Sequence, residues 1–132
     1  EKALLAGDLD LADLPQAWGD GLEALLGIRP DNDREGCLQD IHWYMGAFGY
    51  FPTYSLGAMC AAQVFAAARD QLGDVESQIE RGDFGALITW LRENIHSKAS
   101  SGTTDEILTA ATGTGLRADA FKAHLRKRYL DS

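Results

Sequence analysis

Apolar positions along the chain recur at helical spacing, and no segment of length alternates strictly between apolar and polar. Glu1-Lys2-Ala3-Leu4-Leu5-Ala6-Gly7 reads as the last turns of a helix, because Ala and Leu are good helix formers and Gly7 stands where a C-terminal cap belongs. No N-cap, turn or initiator methionine precedes it, so the pattern predicts a helix that ends without having begun, as in a chain cut from a longer one. After a connector over 8–13, a second helix is predicted from Leu14-Pro15 to Leu26, with Asp13 as N-cap and Gly27 as stop. Ala17, Trp18, Leu22, Leu25 and Leu26 form its apolar stripe. Pro30, Asp31, Asn32 and Asp33 mark Ile28 to Glu35 as a loop.

The stretch from Gly36 to Tyr54 is unlike the rest. It holds His42, Trp43, Tyr44, Phe48, Tyr50, Phe51 and Tyr54, with Gly36, Gly46 and Gly49 between them. It predicts a short helix or turn around Leu38 to Trp43, irregular backbone, and a helix from near Pro52 to Leu72. Residues 58–68 carry no charge, so this helix is expected to be central and covered on most sides. A polar segment, Asp74 to Glu80, ends at Gly82. Asp83 is the expected cap of a helix whose Phe84, Leu87, Ile88, Leu91 and Ile95 share a face, with His96 in its last turn. Ser97 to Gly102 is a small-residue loop. Thr103 and Glu106 have capping-box spacing and open a short helix through Ile107, Leu108 and Ala111, ended by residues 112–115. Leu116, Phe121, Leu125 and Tyr129 line a last helix with Lys122, Arg126, Lys127 and Arg128 on its other faces. The fold class expected is all-α, an irregular bundle of six or seven helices.

Composition narrows the function classes. The 132 residues suit one domain; 45% are hydrophobic and 24% charged, an ordinary globular balance. A net charge of -8 argues against nucleic acid as a partner, because phosphate neutralisation needs clustered cations. No apolar run of about 18 residues is present, so no membrane span is expected. Cys37 and Cys60 are too few for a disulfide framework and are read as reduced thiols in a cytoplasmic protein.

Candidate chemistry gathers in one place. His42, His96 and His124 are not paired at i+4, and neither His-Glu-x-x-His nor Cys-x-x-Cys occurs, so the histidines alone make no zinc site. His96 and His124 read as helix-end or surface residues, and Lys122 to Arg128 as a solvated face. Gly36-Cys37-Leu38-Gln39-Asp40-Ile41-His42-Trp43 followed by Tyr50 and Tyr54 sets hydrogen-bonding groups among bulky apolar ones. His42 can donate a proton or a hydrogen bond near neutral pH. Tyr50 and Tyr54, at i and i+4, share a face if helical, and phenols in an apolar wall can stabilise an oxyanion. Gln39 and Asp40 can orient His42. The same aromatics also fit a packed core with His42 satisfied by Asp40.

Gly36-x-x-Gln39-Asp40-x-His42-Trp43 matches the Gly-x-x-Gln-Asp-x-His-Trp signature of the carboxypeptidase Taq family of zinc metallocarboxypeptidases, which the chain resembles. Gly49-Tyr50-Phe51-Pro52-Thr53-Tyr54, Asp13-Leu14-Pro15-x-Ala17-Trp18 and Trp90-Leu91-Arg92-Glu93-Asn94-Ile95-His96 look like the same family. The resemblance implies a cytoplasmic, largely helical enzyme, often homodimeric and several times longer, that removes single residues from peptide C-termini with one metal. It implies that the His-Glu-x-x-His helix, its glutamate base and a further acidic ligand precede the region matched by Glu1. The chain is then a C-terminal portion with no metal ligand of its own, inactive alone. By similarity, His42 hydrogen-bonds substrate or intermediate, Tyr54 and secondly Tyr50 stabilise the oxyanion, and Gly36, Gln39, Asp40 and Trp43 support them. The alternative is a non-enzymatic helical module that binds peptides through the aromatic segment.

Overall fold

Seven α-helices and three short 3-10 turns make up the regular structure of the computed structural model, which describes residues 1–131; no strand occurs among them. None of these helices is long and apolar enough to cross a membrane. The chain forms two compact units, Glu1–Pro52 and Thr53 onward.

In the first unit, α1 (Lys2–Ala6) ends at Gly7, whose φ of 78° is the left-handed conformation that glycine adopts without cost. A 3-10 turn, Leu11–Asp13, runs into α2 (Leu14–Leu26), which Gly27 stops. Asp13 is not the predicted side-chain cap: its backbone is already helical and its carboxylate bonds no helix N–H. The preceding 3-10 turn has begun the coil, so the chain enters α2 without the extended residue that a cap requires. The predicted stripe is only partly covered. Trp18 and Leu22 are half-buried, while Ala17, Leu25 and Leu26 are exposed. The buried position of α2 is Gly19, where a Cβ would collide with the Arg29 guanidinium. Arg29 pairs with Asp20 and with Glu23, the latter at 3.1 Å.

The second unit has a conventional core. α3 (Pro52–Leu72) contributes Val64 and Ala68, α5 (Gly85–Asn94) contributes Trp90, and α6 (Thr104–Thr112) contributes Leu108 and Ala111. Leu72, Leu87, Leu91, Ile95 and Leu116 pack around them. α4 (Val75–Glu80) buries Val75 completely. Polar groups in this interior are paired. Trp90 Nε1 donates to Gln71 Oε1 at 2.8 Å. Gln63 donates to Thr112 Oγ1 at 2.8 Å and to the Gly115 carbonyl at 3.0 Å, and accepts from the Arg117 N–H at 2.9 Å. One buried amide thereby fixes the connection from α6 to α7 (Asp119–Tyr129).

Several expectations change here. α3 is covered only over its second half, since residues 53–58 are exposed. An uncharged sequence shows that a helix can be buried, not what buries it. In α5 the deeply buried residue is Trp90, while Phe84 and Ile88 of the predicted face are exposed. His96 opens a separate 3-10 turn, His96–Lys98, instead of ending α5. On α7, Phe121 is half-buried but Leu125 and Tyr129 are exposed. Asp83 is not the N-cap of α5, a position that Phe84 takes without a side-chain bond, but its carboxylate one residue earlier accepts the Gly85 N–H at 3.0 Å. The Thr103–Glu106 capping box is complete, with both reciprocal bonds formed. Both cysteines are free; Cys37 is buried, and burial pushes the half-buried Cys60 thiol up.

Candidate functional site

The site residues of the first unit are set by a tight local path from Gly36 to Pro52. A Cβ on Gly36 would lie 3.2 Å from Pro30 Cγ and 3.3 Å from the Asn32 carbonyl, so a larger residue would push the two segments apart. The 3-10 turn Cys37–Gln39 follows, and Asp40 breaks it with extended backbone. Asp40 Oδ1 then accepts the backbone N–H of His42 at 2.8 Å and lies 2.6 Å from His42 Nδ1. The first bond is an Asx turn, the local device by which Asp reshapes the chain two residues on. The second fixes the orientation of the imidazole.

Aromatic rings complete the setting. Tyr50 stacks on His42 at 5.7 Å between centroids, and Phe51 meets it edge-on at 5.2 Å. Gly46 and Gly49, with φ of 70° and 74°, turn the backbone so that residues 50 and 51 return to His42. Trp43 packs on Trp18 at 5.8 Å. Burial alone would raise the Asp40 carboxyl, but bonds from the His42 backbone and ring and from Trp43 outweigh it and hold Asp40 below the usual carboxylate range.

Of the predicted residues, the structure brings together Asp40, His42 and Tyr50, with Trp43 beside Asp40. Gln39 turns the other way: its side-chain amide donates to the Arg34 carbonyl, fastening the loop. Tyr50 and Tyr54 do not share a helical face. Pro52 starts α3, which leaves Tyr50 in the preceding turn and Tyr54 in the first turn of the helix. Both phenols are well exposed, at 49% and 56%. The residues to which the sequence assigns no site role are Phe51, Trp18 and Glu1. Trp18 was readable from the Leu-Pro-x-Ala-Trp run, whereas nothing local marks Glu1, whose Oε2 accepts the Gly49 N–H at 2.7 Å. Gln39, Asp40, Trp43, Phe51, Trp18 and Glu1 all line a cavity of about 680 Å³.

Among the described residues, no three His, Cys, Asp or Glu side chains converge as a metal-binding group. The arrangement instead offers an oriented imidazole, a phenol against it and an apolar wall, which can hold and polarise a carbonyl.

Comparisons with known proteins give a consistent set. A family model described as Carboxypeptidase Taq (M32) metallopeptidase matches residues 1–129. Thermostable carboxypeptidase 1 of Thermus thermophilus is 40% identical over 129 residues, which is 98% of this chain and 25% of that protein. The protein of the same name from Pyrococcus furiosus is 38% identical over 130 residues, again 98% of this chain and 26% of the relative. Among solved structures, Trypanosoma cruzi metallocarboxypeptidase 1 superimposes with a TM-score of 0.91 at 44% identity, covering 97% of this chain and 27% of that one. The M32 carboxypeptidase of Deinococcus radiodurans R1 gives 0.93 at 38% identity, covering 98% and 26%. The chain therefore spans about a quarter of the length of the relatives it matches.

Proposed function

The chain belongs to the carboxypeptidase Taq (M32) metallopeptidase family, and on that premise we propose that it serves as the C-terminal portion of a metal-dependent carboxypeptidase that releases single amino acids from peptide C-termini. The observation that carries the reading is the Asp40–His42 pair of the Gly36–Trp43 run, set against Tyr50 of the segment that follows it. A zinc or similar divalent ion in the intact enzyme would polarise the scissile carbonyl and supply an activated water. The described residues do not fit such a centre, because no group of three candidate ligands converges among them. On this reading the metal ligands and the glutamate base are supplied by other residues of the intact enzyme.

What this chain contributes is hydrogen bonding and shape. With Asp40 on Nδ1, the neutral His42 ring presents Nε2 as an acceptor, and only the protonated ring donates from it. A bond from His42 to a peptide carbonyl or to the oxyanion formed from it therefore uses the imidazolium, whose charge the Asp40 carboxylate balances. Tyr50 and Tyr54 are phenolic donors that need no charge change, and their exposure suits contact with a bound peptide. Trp43 and Phe51 supply the apolar wall. The same reading carries a cytoplasmic location, peptide substrates and a homodimeric intact enzyme.

Two measurements test it. The purified 132-residue chain, given zinc and a peptide, should release no C-terminal amino acid and retain no stoichiometric metal. Release by this chain alone would overturn its assignment as a non-catalytic portion. The coding frame upstream of Glu1 should carry His-Glu-x-x-His; a start codon immediately before Glu1 would instead favour a stand-alone peptide-binding module.

A further inference from the structure

Within the first unit, the bond from Glu1 to Gly49 spans 48 residues, whereas the Asp40–His42 and Gln39–Arg34 contacts span two and five. Glu1 stands at the N-cap position of α1, yet its carboxylate caps no N–H of that helix. Its carbonyl accepts the Leu5 N–H at 3.0 Å, which anchors its backbone to α1. Its side chain reaches across to the loop instead, where Oε2 accepts the Gly49 N–H at 2.7 Å. A carboxylate acceptor at that distance makes a charge-assisted bond, about twice as strong as a neutral one. The other oxygen, Oε1, is shut off from solvent and closes no bond among the described residues. A carboxylate oxygen kept from water without a donor costs stability, so stability is a poor account of why Glu1 is placed here.

The bond falls on the turn that carries Tyr50 back to His42. Inside that turn the Ala47 N–H donates to the His42 carbonyl at 2.8 Å, and the Tyr50 N–H to the Ala47 carbonyl at 3.3 Å. Gly49 lies between them at φ 74°, and a Cβ there would meet nothing, so the position needs glycine for its conformation and not for space. Glycine is also the residue whose φ is least confined, and rotation at Gly49 would swing the next residue, Tyr50, away from His42. Holding the Gly49 N–H fixes the peptide plane between Phe48 and Gly49, the plane on which that φ depends. The Tyr50 ring then rests 5.7 Å from the His42 ring. We propose that Glu1 is a positioning residue for the carboxypeptidase reaction: through Gly49 it locks the turn that keeps the Tyr50 phenol against His42, where it can donate to the oxyanion. The proposal rests on the functional reading above and assigns to that reading a residue far from His42 and Tyr50 in sequence.

Two experiments test it. In the intact carboxypeptidase, Glu1→Ala should lower kcat by about tenfold and leave KM within about twofold, because the phenol matters most where charge develops. Glu1→Gln keeps an acceptor oxygen for the Gly49 N–H and should hold kcat within about threefold of the parent. Tyr50→Phe removes the donor that Glu1 positions, so adding Glu1→Ala to it should cost less than about twofold more. In NMR spectra of the 132-residue chain, Glu1→Ala should move the Gly49 amide proton to higher field and weaken the cross-peaks between the His42 and Tyr50 rings. The Trp90 indole N–H, bonded to Gln71, should stay in place and report that the second unit is folded. The proposal is overturned if the ring contact survives Glu1→Ala, if Glu1→Gln behaves as Glu1→Ala does, or if the Glu1→Ala and Tyr50→Phe losses in kcat multiply. An intact enzyme that releases no C-terminal amino acid would sink the functional reading, while the NMR measurement would still decide whether Glu1 holds Tyr50 on His42. The two failures are therefore separable.

Discussion

The two units bury different things. From Thr53 onward the interior is a cluster of Val64, Ala68, Trp90, Leu108 and Ala111, with its polar atoms paired by Gln63 and Gln71. In Glu1–Pro52 the buried residues are Gly19, Gly36 and Cys37, while Leu5, Leu11, Leu25, Leu26 and Leu38 stay exposed. The ionic imbalance also lies almost wholly in the first unit, which holds ten of the 20 carboxylates but three of the 12 basic side chains. The second unit thus spends its apolar residues on its own stability. The first arranges polar and aromatic groups around His42 and leaves apolar surface for something else to cover, which is the usual state of an interaction face.

The contrast is broken most decisively at Trp90. Trp90→Ala should cost about 3–5 kcal/mol by urea unfolding, because it opens a core cavity and strips Gln71 Oε1 of its donor. A loss under about 1 kcal/mol would mean that the second unit has no dominant core. Gln63→Ala comes next. It leaves the Arg117 N–H without its acceptor and frees the connection after α6, for about 2 kcal/mol and earlier amide exchange over residues 112–117. Ala99→Gly should act in the opposite sense. Ala99 sits at φ 44° and ψ -120°, a region suited to glycine, so the change should stabilise by about 1 kcal/mol, read as a raised melting temperature.

Smaller effects separate the units further. Asp40 has its carboxyl lowered from 3.8, so its stabilising contribution is complete above that value and is lost as pH falls through the depressed one. The His42 side-chain NMR signals should therefore report an intact Asp40 contact from neutral pH down to about 4, and its release only in stronger acid. Loss of the contact well above that range would show that Asp40 does not hold the ring. Smallest of all, Leu25→Ser should change stability by less than about 0.5 kcal/mol, because Leu25 is 83% exposed. A large loss there would give the first unit a core after all.

What could be read from the sequence follows the range of the forces involved. Gly7, Gly27 and Gly113 end helices and Thr103 with Glu106 begins one, because those signals act within a single turn. The Asp40–His42 contact is equally local, an Asx turn across two residues. The Tyr50–Tyr54 face was not readable, since it depends on the residue at which α3 starts, and Pro52 starts it after Tyr50. Asp13 looked like a cap, but the 3-10 turn before it removed the need. Leu25 and Leu26 matched an apolar stripe, yet which part of a stripe is covered is decided by distant residues. Gln39 could have turned toward His42 or back to the Arg34 carbonyl, and only the folded loop chooses between them.

The placement of the tryptophans also gives the molecule built-in optical reporters. Trp18 and Trp43, 5.8 Å apart and inclined at 38°, are close enough for their excited states to couple, whereas Trp90 absorbs within the other unit. Circular dichroism of the coupled pair and fluorescence of a variant retaining only Trp90 would follow the two units separately. Whether they melt together or in sequence can then be seen without attaching any dye.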